Sequence, residues 1–144
     1  MNNKFNLTFL SLSENEAFAR SVISFFMLKL NPSISELGDV KTAVSEAVTN
    51  CIVHGYPGSC GEISLSCEII GQDLHINISD KGVGINDLAL ALEPFYTTKP
   101  EEERSGMGFT IMRSFMDDFS IESVKGEGTH IYMKKTIVTD KEGK

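Results

Sequence analysis

Cysteine is scarce in this sequence, which contains only Cys51, Cys60 and Cys67 among 144 residues. The number is odd, no two of the three form a CxxC pair, and no histidine-rich segment accompanies them. A disulfide framework or a zinc site would need partners that the sequence does not offer. Buried, reduced thiols are therefore the favoured interpretation.

Long apolar runs are also missing, because no stretch approaches the roughly 20 residues that a membrane-spanning helix needs. The first residues, from Met1 to Phe5, show neither an apolar signal region nor a cleavage pattern. We expect a cytoplasmic protein that does not associate with a membrane.

Basic residues are outnumbered, with 13 lysines and arginines against 20 aspartates and glutamates and a net charge of -7. Without a basic stripe to displace phosphate counterions, we expect no direct binding to nucleic acid. An acidic protein that binds a polyphosphate would need local cations or a metal ion.

The chain is long enough for one domain with a sizeable core, which we place at residues 1–138, followed by a polar tail at 139–144. Hydrophobic periodicity predicts a strand, two helices, a hairpin, an irregular segment, a helix and a final hairpin. The hairpins favour a mixed, mostly antiparallel sheet, and amphipathic helices would cover one of its faces. The predicted fold class is an α/β (α+β) two-layer sandwich.

Two capping boxes mark the first two helices. One starts at Ser13 and opens a helix to about Leu30, whose predicted buried side chains are Phe18, Val22, Phe25 and Phe26. The other starts at Ser33 and opens a helix that ends at Gly55 to Gly58. The buried stripe predicted for this second helix is Val40, Val44, Ala47, Val48, Cys51 and Ile52.

Glu46, Asn50 and His54 stand four residues apart along one line of the second helix, beside that stripe. Polar groups at the rim of a buried face are costly unless something polar lies over them. The Asn50 carbonyl suits Mg²⁺, and Glu46 suits a hydroxyl or water that attacks phosphorus. The alternative is a solvated helix face, and His54 is better explained as a helix-end residue.

Two glycine motifs follow. Asp80-x-Gly82-x-Gly84 stands where a predicted strand ends, and its aspartate could accept a hydrogen bond from an exocyclic amine such as that of adenine. By itself this motif is more often an ordinary Asp-Gly turn. Gly106-x-Gly108 precedes a helix and suits an anion site or the hinge of a lid formed by the irregular segment. Lys99 and Arg104 are the nearby cations.

Together these motifs resemble those of the GHKL ATPase/kinase superfamily, which implies the Bergerat ATP-binding fold with ATP or ADP and Mg²⁺. The matching stretches are Glu46-x-x-x-Asn50, Asp80-x-Gly82-x-Gly84, Thr97-Thr98-Lys99, Ser105-Gly106-Met107-Gly108-Phe109 and Gly128-Thr129. Within this superfamily, residues 46–56 and 95–112 are similar to the family of sporulation anti-sigma F factors, which are serine kinases of spore-forming bacteria. The likeness extends from about Leu7 to Val138.

The resemblance implies a role for each matching residue. Glu46 would be the catalytic base, Asn50 the Mg²⁺ ligand and Asp80 the adenine-reading carboxylate. Arg104 would point at the terminal phosphate, and Arg20 would lie on a helix used against protein partners. The remaining implied nucleotide-binding positions are Gly82, Gly84, Thr98, Lys99, Ser105, Gly106, Met107, Gly108 and Thr129.

The implied function is that of a homodimeric anti-sigma factor that keeps sigma F from RNA polymerase. It would also phosphorylate, and so inactivate, a serine-bearing anti-anti-sigma partner. The alternatives are a non-catalytic nucleotide-sensing module, an anti-sigma B type stress-response kinase, and a detached ATPase or histidine-kinase domain. Glu46 argues against a pure sensor, which has no need of a carboxylate over the terminal phosphate. The lack of a further domain in the sequence argues against the detached domain.

Overall fold

The computed structural model describes residues 2–85, 87–93 and 108–138. The strands are β1 (Asn2–Leu10), β2 (Glu62–Ile70), β3 (Asp73–Asp80), β4 (Asp118–Val124) and β5 (Gly128–Thr136). The helices are α1 (Glu14–Met27), α2 (Ile34–Asn50), the single turn α3 (Leu88–Ala91) and α4 (Gly108–Phe115). A 3₁₀ turn (Leu28–Leu30) follows α1, and a π-helical turn (Cys51–Gly55) follows α2. No helix in these ranges is long and apolar enough to cross a membrane.

The five strands form one sheet in the order β1-β2-β3-β5-β4, and every neighbouring pair is antiparallel. Side chains alternate between the two faces, so one face carries the core and the other is polar. The alternating apolar residues of β2 and β3 lie on the inner face and are buried: Ile63, Leu65, Cys67, Ile69, Leu74, Ile76 and Ile78. The predicted two-layer sandwich is confirmed, with an antiparallel sheet throughout the described strands.

Helix α2 lies at the centre of the helical layer, with α1 on one side and α4 on the other. Its predicted stripe is confirmed, because the members from Val40 to Cys51 are buried, and Ile52 packs at the edge of the core. This central position explains why the polar residues of α2 stand close to the middle of the molecule.

The predicted buried face of α1 is only partly confirmed: Val22 is half-buried and Phe26 packs against the core, but the other two members are exposed. Phe18 and Phe25 are 48% and 78% exposed, whereas Ala19, Ile23 and Met27 are fully buried. The series that starts at Phe18 and the series that starts at Ala19 run side by side on the helix at similar spacing. Helix α1 packs against α2 with the series that starts at Ala19. A small residue lets two helices approach closely. Periodicity alone could not choose between the stripes.

The two predicted capping boxes have different outcomes. At Ser33 the box is present: the Glu36 N–H donates to Ser33 Oγ at 3.0 Å, and the Ser33 N–H donates to Glu36 Oε1 at 2.9 Å. At Ser13 it is wrong, because this serine makes no side-chain capping bond. Its backbone is already helical (φ -58°, ψ -32°), whereas a capping serine needs extended backbone to reach the N–H groups of the first turn.

Helix α2 does not simply stop at Gly55. After Asn50 it widens into the π-helical turn, where the Tyr56 N–H donates to the Cys51 carbonyl at 3.1 Å.

The prediction that the cysteines are buried needs one correction, because Cys60 is exposed while Cys51 and Cys67 are buried. All three are free thiols. Cys60 lies just before β2, outside the inner face of the sheet.

Candidate functional site

The polar residues along one edge of α2 are partly buried. Asn50 is only 7% exposed, at the last residue of the helix. Glu46, one turn earlier on the same line, is half-buried. Ala43 and Ala47 beside them are fully buried. An amide and a carboxylate thus lie along one edge of the central helix, next to the core.

Asp80 ends β3 and is 5% exposed. Its Oδ1 accepts a hydrogen bond from the Gly82 N–H at 2.9 Å. Its Oδ2 is buried and accepts no hydrogen bond of ordinary geometry from the described residues, although the Cys51 thiol and the Thr129 backbone lie close to the carboxylate. A buried oxygen without a donor is unusual in a folded protein, because a protein group usually takes the place of the water that burial excludes. An N–H donor from a ligand that reached this oxygen would satisfy it.

Burial raises the pKa of the Asp80 carboxyl above its ordinary range, and the Gly82 N–H, the Cys51 thiol and the Thr129 backbone partly offset the effect. Burial also raises the pKa of Cys51, and the neighbouring Asp80 charge raises it further. Cys51 is therefore held as a neutral thiol beside the carboxylate, not as a reactive thiolate.

Two glycines bring the end of α2 against the loop that follows β3. A Cβ on Gly55 would stand 2.7 Å from Asp80 Oδ2, and one on Gly82 would overlap the Gly55 carbonyl oxygen. That carbonyl accepts a hydrogen bond from the Val83 N–H at 2.9 Å. The π-helical turn and the Asp80 loop are thus in backbone contact, and side chains at these two positions would separate them.

The β4–β5 hairpin holds the same loop from its other side. Thr129 is buried opposite Asp80 in the strand register, and its hydroxyl lies 2.7 Å from Ser123 Oγ. Ser123 Oγ also accepts from the Ile85 N–H at 2.7 Å. The Gly126 N–H donates to the Val83 carbonyl at 2.7 Å. Thr129, one of the predicted nucleotide-binding positions, therefore lies beside the Asp80 loop.

The structure brings together most of the predicted site residues that it describes. Asp80, Gly82, Gly84 and Thr129 form one cluster with the end of α2. Gly108 is buried at the start of α4, which packs against α2. The other predicted lid and phosphate-binding residues lie outside the described residues; these are Thr98, Lys99, Arg104, Ser105, Gly106 and Met107.

Arg20 lies away from this cluster, on α1. Its guanidinium Nη1 donates to Glu16 Oε2 at 2.8 Å and to Ser45 Oγ at 3.0 Å. Glu16 and Arg20 are therefore partly buried, and Arg20 contacts α2. Ser45 precedes Glu46 in the sequence, so Arg20 ties α1 to the turn of α2 that carries the predicted base.

Three residues of this region are absent from the sequence-based predictions: Gly55 as a contact of Asp80, Tyr56 and Ser123. The sequence marks Gly55 only as a helix stop. The glycine itself offered a signal, because a residue without a Cβ lets two backbone segments approach closely. Ser123 had no local signal, because its role depends on strand pairing.

The donor set for a metal ion is sparse. Among residues 2–85, 87–93 and 108–138, no group of three or more histidine, cysteine, aspartate or glutamate side chains could hold one. A neutral amide oxygen at Asn50, with Glu46 one turn away, fits Mg²⁺ better than it fits zinc. Mg²⁺ takes few protein ligands and completes its shell with waters and substrate phosphates.

Comparison with known proteins agrees with this geometry. A family model described as a histidine kinase-like ATPase domain matches residues 10–135. An anti-sigma F factor of Thermoanaerobacter sp. (strain X514) is 50% identical over 139 residues, covering 96% of this chain and 97% of that protein. An anti-sigma F factor of Clostridium perfringens (strain SM101 / Type A) is 51% identical over 142 residues, covering 96% of this chain and 100% of that protein.

Two solved structures share the fold at low sequence identity. The RsbU and RsbW domains of Rv1364c from Mycobacterium tuberculosis superpose with a TM-score of 0.68 at 16% identity. That match covers 94% of this chain but only 32% of the longer one. The catalytic domain of the histidine kinase ThkA gives a TM-score of 0.58 at 16% identity, covering 95% and 96% of the two chains. By the family model that it matches and by its relatives at about 50% identity, the chain belongs to the anti-sigma F factor family and has the histidine kinase-like ATPase domain.

Proposed function

We propose that this chain binds ATP beside α2 and the Asp80 loop and transfers its terminal phosphoryl group to a serine of an anti-anti-sigma protein. The observation that supports this most strongly is the buried Oδ2 of Asp80, which accepts no hydrogen bond of ordinary geometry from the part of the chain that the structure describes. It lies next to the helix that carries Asn50 and Glu46, so a recognition group and two groups suited to phosphoryl transfer occupy neighbouring elements. Membership of the family supports ATP as the nucleotide.

Each residue has a distinct task in this proposal. Asp80 Oδ2 accepts a hydrogen bond from the adenine amine, and Gly82, Gly84 and Thr129 keep the surrounding backbone in place. The Asn50 carbonyl holds Mg²⁺, which when bound offsets negative charge on the phosphates. Glu46 orients the attacking serine hydroxyl and accepts its proton.

The lid completes the site in the proposal. Arg104 contacts the terminal phosphate and stabilises the charge that develops there. The other members bind or enclose the phosphates; they are Thr98, Lys99, Ser105, Gly106, Met107 and Gly108. A chain with a net charge of -7 needs such local cations and Mg²⁺ to hold a polyphosphate.

The same proposal includes the regulatory role. The anti-sigma F name of the relatives supports sigma F as one partner, with Arg20 on the binding surface and a homodimer as the active form. A nucleotide shifts the balance between two partners when it binds one conformation more tightly than another. ATP and ADP thus give this protein a way to choose between sigma F and its substrate.

The test of the proposed chemistry is Glu46→Gln, an isosteric change that removes the base. We expect the variant to bind ATP nearly as tightly as wild type and to lose phosphoryl transfer by roughly 100-fold or more. The control is Glu68→Gln, on the exposed face of β2. Labelled ATP, Mg²⁺ and an anti-anti-sigma protein are incubated with each variant, and label on serine is measured. A Glu46→Gln variant that phosphorylates at the wild-type rate would remove Glu46 as the base. If wild type binds ATP but transfers no label, the chain is a nucleotide-sensing module.

A further inference from the structure

The Tyr56 side chain connects the start of β2 to the end of β3. Its hydroxyl donates to the Glu62 carbonyl at 2.6 Å and accepts from the Lys81 N–H at 2.8 Å. Its ring lies against Gly61, where a Cβ would overlap the ring carbons. Burial raises the pKa of Tyr56, so the hydroxyl keeps the proton that it donates. One phenol thus contacts the backbone at the first residue of β2 and at the residue that follows β3.

The place that the hydroxyl occupies is defined by the strand register. Ile63 of β2 pairs with Asp80 of β3, so the next pair along the ladder would be Glu62 with Lys81. These are the two residues that the Tyr56 hydroxyl bridges. The hydroxyl therefore stands where strand pairing would otherwise continue, satisfies both backbone groups, and separates the chains at that point.

The loop that begins there is held through three consecutive N–H groups. The Lys81 N–H donates to Tyr56 Oη, the Gly82 N–H to Asp80 Oδ1, and the Val83 N–H to the Gly55 carbonyl. The outer two acceptors belong to adjacent residues at the end of the π-helical turn. The middle acceptor is Oδ1 of the Asp80 carboxylate. The hydrogen bonds that hold the loop therefore also determine which Asp80 oxygen accepts from the Gly82 N–H.

We propose that the Tyr56 hydroxyl is a positioning group for adenine recognition. By ending β3 at Asp80 and holding Lys81, it keeps Oδ1 of Asp80 turned to Gly82 and leaves Oδ2 for the nucleotide amine. This inference rests on the proposed ATP site and adds to it a residue that need not touch the nucleotide. Without the hydroxyl, Lys81 and Glu62 lose their common partner, and the Asp80 loop gains freedom.

The test compares Tyr56→Phe with the matched control Tyr132→Phe. Tyr132 also has a hydrogen-bonded hydroxyl, 2.8 Å from His75 Nδ1, but it lies in the middle of β5 on the polar face of the sheet. Both variants lose one phenol oxygen and keep the ring. Melting temperature and circular dichroism check that each is folded. Calorimetry then gives the dissociation constants of ATP and of purine riboside triphosphate, which lacks the adenine amine.

We expect Tyr56→Phe to weaken ATP binding by roughly three- to tenfold and to weaken the analogue much less. The preference for ATP over the analogue therefore shrinks. Amide hydrogen exchange at Lys81, Gly82 and Val83 speeds up in the free variant. Tyr132→Phe leaves the ATP preference unchanged, even where its melting temperature falls as much as that of Tyr56→Phe.

Two results would overturn this inference alone: unchanged ATP affinity in Tyr56→Phe, or an equal loss for ATP and the analogue, which would mean a general structural role. Wild-type protein that binds ATP no better than the analogue would instead remove the adenine role of Asp80, and with it the basis of the inference. Failure of the wider proposal and failure of the Tyr56 role thus give different measurements.

Discussion

At the scale of a single residue, Asp80 lowers the stability of the folded protein in two ways. Its carboxylate is buried, and one of its oxygens has no partner within the described residues. An unsatisfied buried acceptor costs about 1–3 kcal/mol of folding free energy. In the proposed site, a ligand that supplies a donor to this oxygen would offset the cost on binding, so the atom that lowers stability would also favour recognition.

The first prediction concerns stability against pH. Because the pKa of Asp80 is raised in the folded protein, the native state holds the proton more tightly than the unfolded state does. Stability therefore falls as pH rises from the ordinary aspartate pKa through the raised one, and the buried charge is most costly above both. We expect Asp80→Asn to raise the free energy of unfolding at neutral pH, with a gain that shrinks toward acid pH.

Urea denaturation at several pH values measures this gain. The control is Asp73→Asn, at the other end of β3, where Oδ1 accepts a hydrogen bond from the Thr136 hydroxyl at 2.6 Å on the surface. That variant should show no such gain at neutral pH. An Asp80→Asn protein that is less stable than wild type at neutral pH would show that the charge is well compensated in the native state.

Single residues also show which features of the candidate site can be predicted from the sequence. Glu46 and Asn50 were predictable because four-residue spacing on a helix places side chains on one line, whatever the rest of the fold does. Asp80 was predictable because a strand ends there. The free Oδ2, the contact with Gly55 and the part played by Ser123 were not, because each depends on which distant backbone atoms the fold brings close.

A second prediction tests the close approach at Gly82. Gly82→Ala forces the Asp80 loop away from the Gly55 carbonyl, so we expect a loss of stability of about 1–3 kcal/mol and much weaker ATP binding. The matched control is Gly38→Ala in α2, where nothing lies within 4 Å of the added Cβ. That change should stabilise the protein by about 0.5–1 kcal/mol through helix propensity.

Urea denaturation and ATP titration of both glycine variants give the answer. Normal stability and normal ATP binding in Gly82→Ala would contradict the tight contact between the π-helical turn and the Asp80 loop.

At the scale of elements, the two serine caps show what local geometry decides. Both positions carry the same sequence signature, but only Ser33 has the extended backbone (φ -70°, ψ 165°) that lets its hydroxyl reach the Glu36 N–H. The chain leading into the helix, not the motif, determines whether the cap forms. The π-helical turn could not be predicted from the sequence either, because its residues continue the helical pattern of α2.

The third prediction follows from this difference. Ser33→Ala removes the cap of the helix that carries Glu46 and Asn50, and we expect it to cost about 1 kcal/mol of stability. Ser13→Ala removes a hydroxyl that makes no capping bond and should cost much less. Equal losses for the two variants in urea denaturation would contradict the assignment of the cap.

At the scale of the whole molecule, the helical layer offers both the candidate site and the surface of α1. The aromatic side chains of Phe18 and Phe25 are left exposed there. Arg20, on the same helix, reaches Ser45 on α2. A partner that contacts α1 would therefore touch an element bonded to the neighbourhood of Glu46. Such a connection suits a protein whose nucleotide and partners influence one another.

The fourth prediction tests the partner surface. We expect Arg20→Glu to reduce retention of sigma F and of the anti-anti-sigma partner by roughly tenfold while ATP affinity stays within about twofold of wild type. Lys29→Glu, an equal charge reversal in the turn after α1, is the control. Pull-down and ATP titration on both variants decide the matter. Normal partner retention in Arg20→Glu would remove Arg20 from the interface.

The central claim is that the free oxygen of Asp80 recognises the adenine amine. The most direct test compares the affinities of ATP and purine riboside triphosphate for wild type and for Asp80→Asn, in the presence of Mg²⁺. We expect wild type to prefer ATP by roughly tenfold or more, and Asp80→Asn to bind both nucleotides with similar, weak affinity, because its amide can present an N–H₂ where an acceptor is needed. An Asp80→Asn protein that keeps the wild-type preference for ATP would contradict the account.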